Sequence, residues 1–315
     1  MKAVYFICTN RNFGHVSFEV WDILKESGLL EDRAGFDFAG APVYRYEKDG
    51  NSFFFVSTDT ALCRDYPRFL HDMNRYFSDC DMSGMVTWHE GGNAPANVLT
   101  VHSLGDMGSG YFGKAAPRFM RNLILAYERS RLELGLDEYF VSTEATHWSG
   151  SYGRDGEPGD PSLLVEFPVP MVDIEVGSAS ESWEDRNACT ALAKTLTEVF
   201  HDDGKTLHNI LCIGGVHFEG SFADAAKTSW GDDAFAVTHI LANQWLVSEG
   251  YENETGFERA CRCVDSIDGG IEAIFIHDKL KGCYKDLARK LAEKYQVPLY
   301  KHQKLRAPEE LALKK

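Results

Sequence analysis

Five of the eleven histidines in this chain of 315 residues follow or end an apolar run, and they are His89, His102, His147, His217 and His239. In open α/β sheets the carboxyl ends of the strands meet at the ligand crevice, so polar side chains there lie close together although they are distant in sequence. One such histidine alone is more often a structural group than a ligand. Five together predict a site where imidazoles transfer protons or bind a metal ion.

Two short motifs sharpen this prediction. Glu144 precedes His147 by three residues, at the mouth of a predicted strand, where it can act as general base, metal ligand or orienting partner. Gly214 and Gly215 end another strand just before His217, and their missing side chains let backbone or substrate approach closely. Their backbone amides also offer an alternative without metal, an oxyanion hole beside water activated by a histidine and Glu144.

Serine and cysteine nucleophiles are disfavoured. Ser103 and Ser149 lie close to histidines, yet no GxSxG turn surrounds either of them. Cys212 falls inside an apolar strand and is expected in the core. Cys261 and Cys263 alternate across a predicted strand or turn, which also favours core packing. The eight cysteines form no CxxC pair, a pattern that indicates reduced thiols in the cytosol.

The elements that must position these groups alternate along the chain. A strand over Lys2–Cys8 precedes an amphipathic stretch at residues 17–30, and this order is typical of α/β folds. Further helices are predicted at residues 117–135, at 178–199 after a capping box of Ser178 and Glu181, and at 280–295. Further strands are predicted at residues 52–57, 85–88, 98–102, 139–142, 163–167, 172–176, 207–213, 272–276 and 297–300.

Strands that alternate with helices predict a three-layer α/β/α architecture around a mixed, mostly parallel sheet. We expect one α/β domain over residues 1–315, with a division near the loop at 149–161 as the alternative. This loop is rich in Gly, Ser, Asp and Pro and directly follows His147. It is therefore either a mobile lid over the site or a plain surface connection.

Composition narrows the class of protein. With 44% hydrophobic and 25% charged residues the chain can build a core, and no apolar run reaches the length of about 18 residues that a membrane span needs. We therefore expect a cytoplasmic protein without a membrane partner. The net charge of −16 argues against a broad basic surface for nucleic acid. A local basic segment is either a phosphate-binding surface or a solvated helix face, and contains Lys279, Lys281, Lys285, Arg289, Lys290 and Lys294.

An ordered set of motifs between residues 85 and 281 resembles the D-aminoacyl-tRNA deacylases of the archaeal and plant type. Each motif alone is weak, whereas the whole set in this order is specific. The motifs are His89-Glu90-Gly91-Gly92, Leu99 to Asp106, Ala115-Ala116-Pro117, Thr143 to His147, Val172 to Ser178, Gly214 to Phe218, Thr238-His239-Ile240 and Asp278 to Gly282.

The resemblance implies a fold of the phosphorylase or peptidyl-tRNA hydrolase type and a zinc-dependent hydrolase. The substrate it implies is the ester between a D-amino acid and the 3′ end of tRNA, with tRNA rather than DNA as partner. Zinc with three protein ligands lowers the pKa of a bound water to about 7. The implied metal ligands are His89, His147 and His217, and the implied catalytic residues are Glu144, His147 and His217. The implied substrate contacts are His102, Asp106, Glu175, His239 and Lys281.

The chain departs from the family pattern at three motifs. Trp148 stands where the family has a second histidine, and Phe218 replaces a tyrosine. Residues 105–107 read Gly-Asp-Met where the family has a Gly-Asn-Trp type sequence. Two alternatives therefore stay open. One is a related metal-dependent hydrolase of a small ester or amide. The other is a non-catalytic module that binds a tRNA end or nucleoside, with Trp148 and Phe218 as stacking faces. Monomer and homodimer are both compatible with the sequence.

Overall fold

Two mixed β-sheets form the centre of the protein in a computed structural model that describes residues 1–91, 94–151 and 159–313. The strands are β1 (Lys2–Cys8), β2 (Arg33–Phe38), β3 (Ala41–Lys48), β4 (Asn51–Thr58), β5 (Met82–Glu90), β6 (Asn97–Ser103), β7 (Gly105–Asp106), β8 (Tyr111–Phe112), β9 (Phe140–Thr143), β10 (Met171–Ser178), β11 (Thr206–Ile213), β12 (Ser229–Trp230), β13 (Asp233–Leu241), β14 (Ala273–Ile276) and β15 (Leu299–Lys301).

Helices pack around these sheets. They are α1 (His15–Glu26), α2 (Tyr66–Phe77), α3 (Pro117–Glu133), α4 (Ser180–Trp183), α5 (Arg186–Leu196), α6 (Gly220–Lys227), α7 (Asn243–Ser248), α8 (Glu254–Asp265) and α9 (Gly282–Tyr295). Short 3₁₀ helices lie at Leu62–Asp65, Ser149–Ser151, Pro161–Val165, His302–Arg306 and Pro308–Glu310. Within the described ranges, no helix is both long enough and apolar enough to span a bilayer.

The large sheet has eight strands in the order β2-β3-β4-β1-β5-β10-β6-β9. Its pairs β4–β1, β1–β5, β5–β10 and β6–β9 are parallel, whereas β2–β3, β3–β4 and β10–β6 are antiparallel. The small sheet has five strands in the order β12-β13-β11-β14-β15, and all its pairs except β12–β13 are parallel. The predicted α/β class with mostly parallel strands and flanking helices is confirmed, although the strands divide between two sheets.

Strand β10 gives the two faces of the large sheet opposite characters. Val172, Ile174 and Val176 point to one side, where they join the largest apolar cluster beneath the helices. Asp173 and Glu175 alternate with them and point to the other side, because successive side chains of a strand face opposite ways. Both acids are buried all the same, at 0% and 2% exposure. The large sheet therefore carries buried acidic groups on the face away from its main core.

The segment at residues 144–147, directly after β9, joins the two sheets. The backbone N–H of Ala145 donates to the carbonyl of His217 at 3.0 Å, and that of Thr146 donates to the carbonyl of Ile240 at 3.0 Å. Both acceptors lie at the carboxyl ends of small-sheet strands or just beyond them. The end of β9 is thereby fixed against the end of the small sheet.

Most predicted elements near the site are confirmed, among them β1, β4, β5, β6, β9, β10, β11, α1, α3 and α9. The predicted capping box of Ser178 and Glu181 is wrong. Ser178 is the last residue of β10, and the helical region divides into α4 and α5. The longer helix is capped by Asp185, whose side chain accepts hydrogen bonds from two backbone N–H groups of the first turn.

The strand predicted at residues 163–167 is also wrong, because Pro161–Val165 forms a 3₁₀ helix. Asp160 starts it by accepting a hydrogen bond from the backbone N–H of Ser162 at 2.9 Å, and the proline follows at its first turn. Of the predicted lid at 149–161, residues 152–158 lie outside the described ranges. The lid stays a prediction.

Several elements were not predicted, including the hairpin of β2 and β3, strand β13 and helices α2, α6 and α8. Cys261 and Cys263 lie on α8 rather than in a strand or turn. Both are buried, as expected for core residues. Alternating apolar residues in a short run fit a helix as well as a strand, so the period alone does not distinguish the two.

His208 links β11 of the small sheet to Asp233 of β13 and to Glu272, which directly precedes β14. From β11 its Nδ1 lies 2.6 Å from Glu272 and its Nε2 lies 2.9 Å from Asp233. Burial opposes a charge on this imidazole, but the two carboxylates outweigh burial and raise the pKa of His208. A raised folded-state pKa contributes stability that is fully present below the unfolded-state pKa of about 6.5 and is lost as pH rises through the folded-state value.

We expect His208→Gln to lower the free energy of unfolding by about 1 kcal/mol at about pH 6, and by much less at about pH 9. Urea denaturation at both pH values measures the difference. His201→Gln, at an exposed histidine, is the control and should change neither value. An equal loss for His208→Gln at both pH values would show that the contacts are not charge-dependent.

Candidate active site

Glu144 lies at the centre of a group of buried titratable side chains. Strand β9 runs parallel to β6 with Thr143 opposite Val101, and this register places Glu144 beside His102. His102 Nε2 is 3.3 Å from Glu144 Oε1 and 3.4 Å from Asp173 Oδ2, and the side chains of all three are fully buried. We call these residues together with His89, His147 and His217 the histidine cluster.

The cluster stabilises opposite charges on Glu144 and His102. Burial disfavours a charged imidazole, but the carboxylates of Glu144 and Asp173 outweigh it and raise the pKa of His102 to about 10. Burial also opposes ionisation of Glu144, yet the charge of His102 and the nearby imidazole of His217 hold the pKa of that carboxyl well below its usual range. Burial raises the pKa of Asp173 despite His102. An ion pair is therefore enclosed beneath the site.

His89 and His217 approach each other from different sheets. His89 is near the end of β5, and its Nδ1 lies 2.7 Å from Ser178 Oγ, so its Nε2 faces His217 Nε2 at 3.3 Å. Burial lowers the pKa of His89 and favours its neutral form. His217 follows Gly214 and Gly215, whose φ angles of 93° and 77° are conformations that favour glycine. This turn brings His217 back over the large sheet.

His147 is the last member of the cluster. Its ring stacks on that of His102 with centroids 4.1 Å apart. Its Nδ1 lies 3.0 Å from the carbonyl of Ala145, which directs Nε2 elsewhere. Burial and the charge of His102 lower the pKa of His147 to about 3, so this imidazole is neutral. Trp245 on α7 packs against it with ring centroids 5.7 Å apart.

The donor atoms fit a zinc ion. Nε2 of His89, Nε2 of His217 and an oxygen of Glu144 lie within 4.8 Å of one another. The His217 nitrogen is 3.6 Å from Glu144 Oε1. Ligands about 2.0–2.1 Å from a tetrahedral zinc stand about 3.4 Å apart, close to these spacings. Both carboxylate oxygens of Glu144 are buried without a well-formed hydrogen bond. A bound cation would give these oxygens the partner that they lack.

A cavity of about 560 Å³, the main cavity, opens over the cluster. His89, His147 and His217 line one part of it. Its wall also contains Glu90, Asp106, Glu175, Glu249 and Arg64. A side cavity of about 520 Å³ shares His89, Glu90 and His217 with it and is otherwise lined by Gly91, Ala94, Pro95, Val216, Phe218 and Gln244. The paired histidines therefore stand between two cavities of different character.

Glu175 is a carboxyl group at the wall of the main cavity. It is only 2% exposed, and its Oε2 has no hydrogen-bond partner. Burial and the neighbouring charge of Glu144 raise the pKa of Glu175 well above its ordinary value. Burial thus favours the protonated carboxyl, which can donate its proton.

The structure brings together most of the residues predicted as a site. His89, His102, Glu144, His147 and His217 form the cluster. The remaining predicted residues divide: Asp106 and Glu175 line the main cavity, whereas His239 and Lys281 do not.

His239 and Lys281 lie apart from the cavity wall. The imidazole of His239 is fully buried, with Nδ1 3.0 Å from Thr146 Oγ1 and Nε2 3.1 Å from Ser266 Oγ. Both of its nitrogens are engaged within the protein, and burial lowers its pKa to about 3. Lys281 is exposed and directly precedes α9.

Several site residues were missed by the sequence analysis. Asp173 binds His102, Ser178 orients His89, and Trp245 and Glu249 line the main cavity. The pattern of β10 contained a signal for the first of these, because an acid in strict alternation with branched apolar residues shares a face with Glu175. The others follow from helices or strand ends whose contacts no local pattern shows.

The fold and site define an α/β protein with a buried cluster of histidines and carboxylates. A crystal structure described as that of a conserved protein of unknown function shares this fold, with a TM-score of 0.73 and 18% sequence identity over 100% of this chain and 98% of that chain. Residues 76–300 match the model of the tRNA_deacylase family, described as D-aminoacyl-tRNA deacylase. The chain belongs to the D-aminoacyl-tRNA deacylase family, as its motifs predicted.

Relatives named D-aminoacyl-tRNA deacylase include proteins of two archaea. The protein of Haloarcula marismortui is 27% identical over 207 residues, which are 59% of this chain and 40% of the relative. The protein of Hyperthermus butylicus is 28% identical over 233 residues, which are 69% of this chain and 74% of the relative. The chain thus spans less than half the length of the first of these relatives and about three quarters of the second.

The two aromatic departures from the family pattern have different surroundings. Trp148 is 5% exposed and packs edge-on against Tyr66, with ring centroids 6.4 Å apart. Phe218 is partly exposed at the side cavity and contacts the rings of His89 and His217 with centroid distances of 5.0 and 4.9 Å. The ring of Phe218 is therefore more accessible to a bound molecule than that of Trp148.

The enclosed ion pair makes a prediction about stability. Glu144→Gln removes the charge that compensates His102, and breaking a buried pair in this way costs about 3 kcal/mol of unfolding free energy. Urea denaturation in the presence of a chelator measures the loss without any contribution from bound metal. Glu258→Gln is the matched control at an exposed position of α8 and should leave the midpoint unchanged. Identical midpoints for both variants would contradict an ionised pair.

Proposed function

We propose that this protein hydrolyses the ester bond of D-aminoacyl-tRNA and releases the D-amino acid and free tRNA. The observation that carries the proposal is the convergence of His89 and His217 at the wall of a cavity, with Glu144 buried beside them, in a member of the D-aminoacyl-tRNA deacylase family. Cleavage of an ester needs an activated water, a polarised carbonyl and a group that handles the proton. The cluster and the main cavity offer residues for each role.

His89, His217 and Glu144 would hold zinc, so that Glu144 replaces His147 in the predicted set of ligands, because His147 groups with His102 and Glu144 instead. When bound, zinc supplies a Lewis acid that polarises the ester carbonyl and acidifies a water molecule. The sequence predicted Glu144 as general base. Glu144 lies below the cavity wall rather than in it, which favours its use as a ligand, with the charge of His102 keeping it ionised.

Other residues orient the reactants. Ser178 fixes the ring of His89, and the carbonyl of Ala145 fixes that of His147. Glu175 faces the cavity, where its carboxyl, which burial keeps protonated, can donate a proton to the ribose oxygen that leaves.

The two cavities suit the two halves of an aminoacyl ester. Because His89 and His217 line both, a scissile bond beside them would place one half of the substrate in each cavity. The side cavity has the ring of Phe218 for the terminal nucleoside, since bases stack on aromatic side chains. In this arrangement Lys281 and its basic neighbours contact tRNA phosphates outside the cavities, and the protein acts in the cytoplasm, where charged tRNA occurs.

Histidine variants test the proposal. We expect His217→Ala and His89→Ala each to lose bound zinc and to lower kcat for D-tyrosyl-tRNA by about 10³-fold. His71→Ala, at an exposed histidine of α2, should keep both. Elemental analysis of protein purified without chelator and single-turnover release of D-tyrosine are the two measurements. Full hydrolysis by metal-free protein would contradict the zinc role, and no hydrolysis by zinc-loaded wild type would contradict the proposed reaction.

A further inference from the structure

Two carboxylates meet at the wall of the main cavity, outside the histidine cluster. Asp106 belongs to β7 and Glu249 directly follows α7, and both line the cavity. A Cβ atom placed on Gly108 would lie 3.0 Å from Glu249 Oε2 and 3.6 Å from Asp106 Oδ2. The two acidic groups therefore approach the same point, which a residue larger than glycine would obstruct.

These two carboxylates are not neutralised by the nearest cations. Asp106 Oδ2 accepts hydrogen bonds from the backbone N–H and the hydroxyl of Ser109, at 2.7 and 2.6 Å. Arg259 donates to the backbone carbonyl of Glu249, and Arg262 donates to that of Ser109. Across the described ranges, neither carboxylate has a lysine or arginine partner within ion-pair distance. Two like charges so close are stabilised by a cation that arrives from outside.

The rest of the cavity wall also favours a cationic guest. Glu90 adds a further acidic group, whereas Arg64 is the one lysine or arginine among the described residues that line it. Glu175 is 2% exposed with an unpartnered Oε2, so a polar atom inside the wall lacks the partner that a bound molecule can supply. A phosphate group would be repelled here, and an ammonium group would be attracted.

We propose that Asp106 and Glu249 bind the free α-ammonium group of the substrate. This inference rests on the proposed function, and it assigns the main cavity to the aminoacyl half of the ester. Every aminoacyl ester carries this ammonium next to the scissile carbonyl, whereas the side chain differs from one amino acid to the next. A site that acts on many amino acids can therefore recognise the ammonium as their common feature.

The assignment also separates two classes of substrate. Acylation of the amino group, as in a peptidyl ester, removes its charge and leaves Asp106 and Glu249 unpaired in the complex. Loss of a charge-assisted hydrogen bond costs about 1.5–3 kcal/mol, which corresponds to about 10- to 100-fold in kcat/KM. The protein should accordingly prefer free aminoacyl esters to N-acylated ones by a factor of this size.

Carboxylate-to-amide substitutions test the inference against two substrates, D-tyrosyl-tRNA and N-acetyl-D-tyrosyl-tRNA. We expect Glu249→Gln and Asp106→Asn to lower kcat/KM for the first by about 10- to 100-fold and to leave that for the second unchanged. Glu258→Gln is the matched control and should preserve the wild-type preference, because its side chain is exposed on α8. Circular dichroism checks that each variant is folded.

A binding measurement complements the kinetics. The probe is 3′-amino-3′-deoxyadenosine joined to D-tyrosine by an amide, with and without an N-acetyl group. Glu249→Gln should raise the Kd of the free-amine form by about 10- to 100-fold and not that of the acetylated form.

Equal losses for both forms, or no loss for either, would overturn the ammonium site while hydrolysis of D-tyrosyl-tRNA by wild type still supports the proposed function. If zinc-loaded wild type does not hydrolyse D-tyrosyl-tRNA, the proposed function fails and the ammonium assignment fails with it.

Discussion

The buried negative charge of Glu144 determines how the side chains around it are arranged. An ionised carboxylate without access to water costs several kcal/mol unless opposite charge and hydrogen-bond donors surround it. Glu144 meets this condition through His102, His147 and His217, which lie 3.3, 3.5 and 3.6 Å from its Oε1. The histidines are therefore held in place by the same interaction that makes the carboxylate tolerable. Asp173 fixes His102 in turn, so the ion pair extends into the body of the large sheet.

Each of the two sheets positions some of these groups. The large sheet supplies a face on which acids of β10 and His102 of β6 lie in register, with Asp173 directly opposite His102. The small sheet supplies the glycine turn that carries His217 over this face. The hydrogen bonds of Ala145 and Thr146 hold the two parts together at the residues that follow β9. Chemistry at the cavity wall thus depends on contacts that are themselves remote from any substrate.

The sequence predicted which residues meet but not how deeply they lie. Histidines after apolar runs indicated strand ends, and strand ends converge, so His89, His147, His217 and Glu144 were correctly expected to come together. Asp173 was missed as a partner because an acid alternating with apolar residues is usual for a strand with one solvated face. The second sheet and the contribution of Trp245 depend on tertiary packing across long sequence separations, which leaves no local period to detect.

The origin of the three convergent donors has a consequence for assembly of the site. His89 and Glu144 come from strands of the large sheet, whereas His217 hangs from the small one. Neither sheet alone contains a complete donor set, and an offset of one ångström between them would change the spacing of His217 from both other donors. The three donors therefore come together only when both halves have docked. A bound ion would then link the two sheets, so that separation of the sheets would release it.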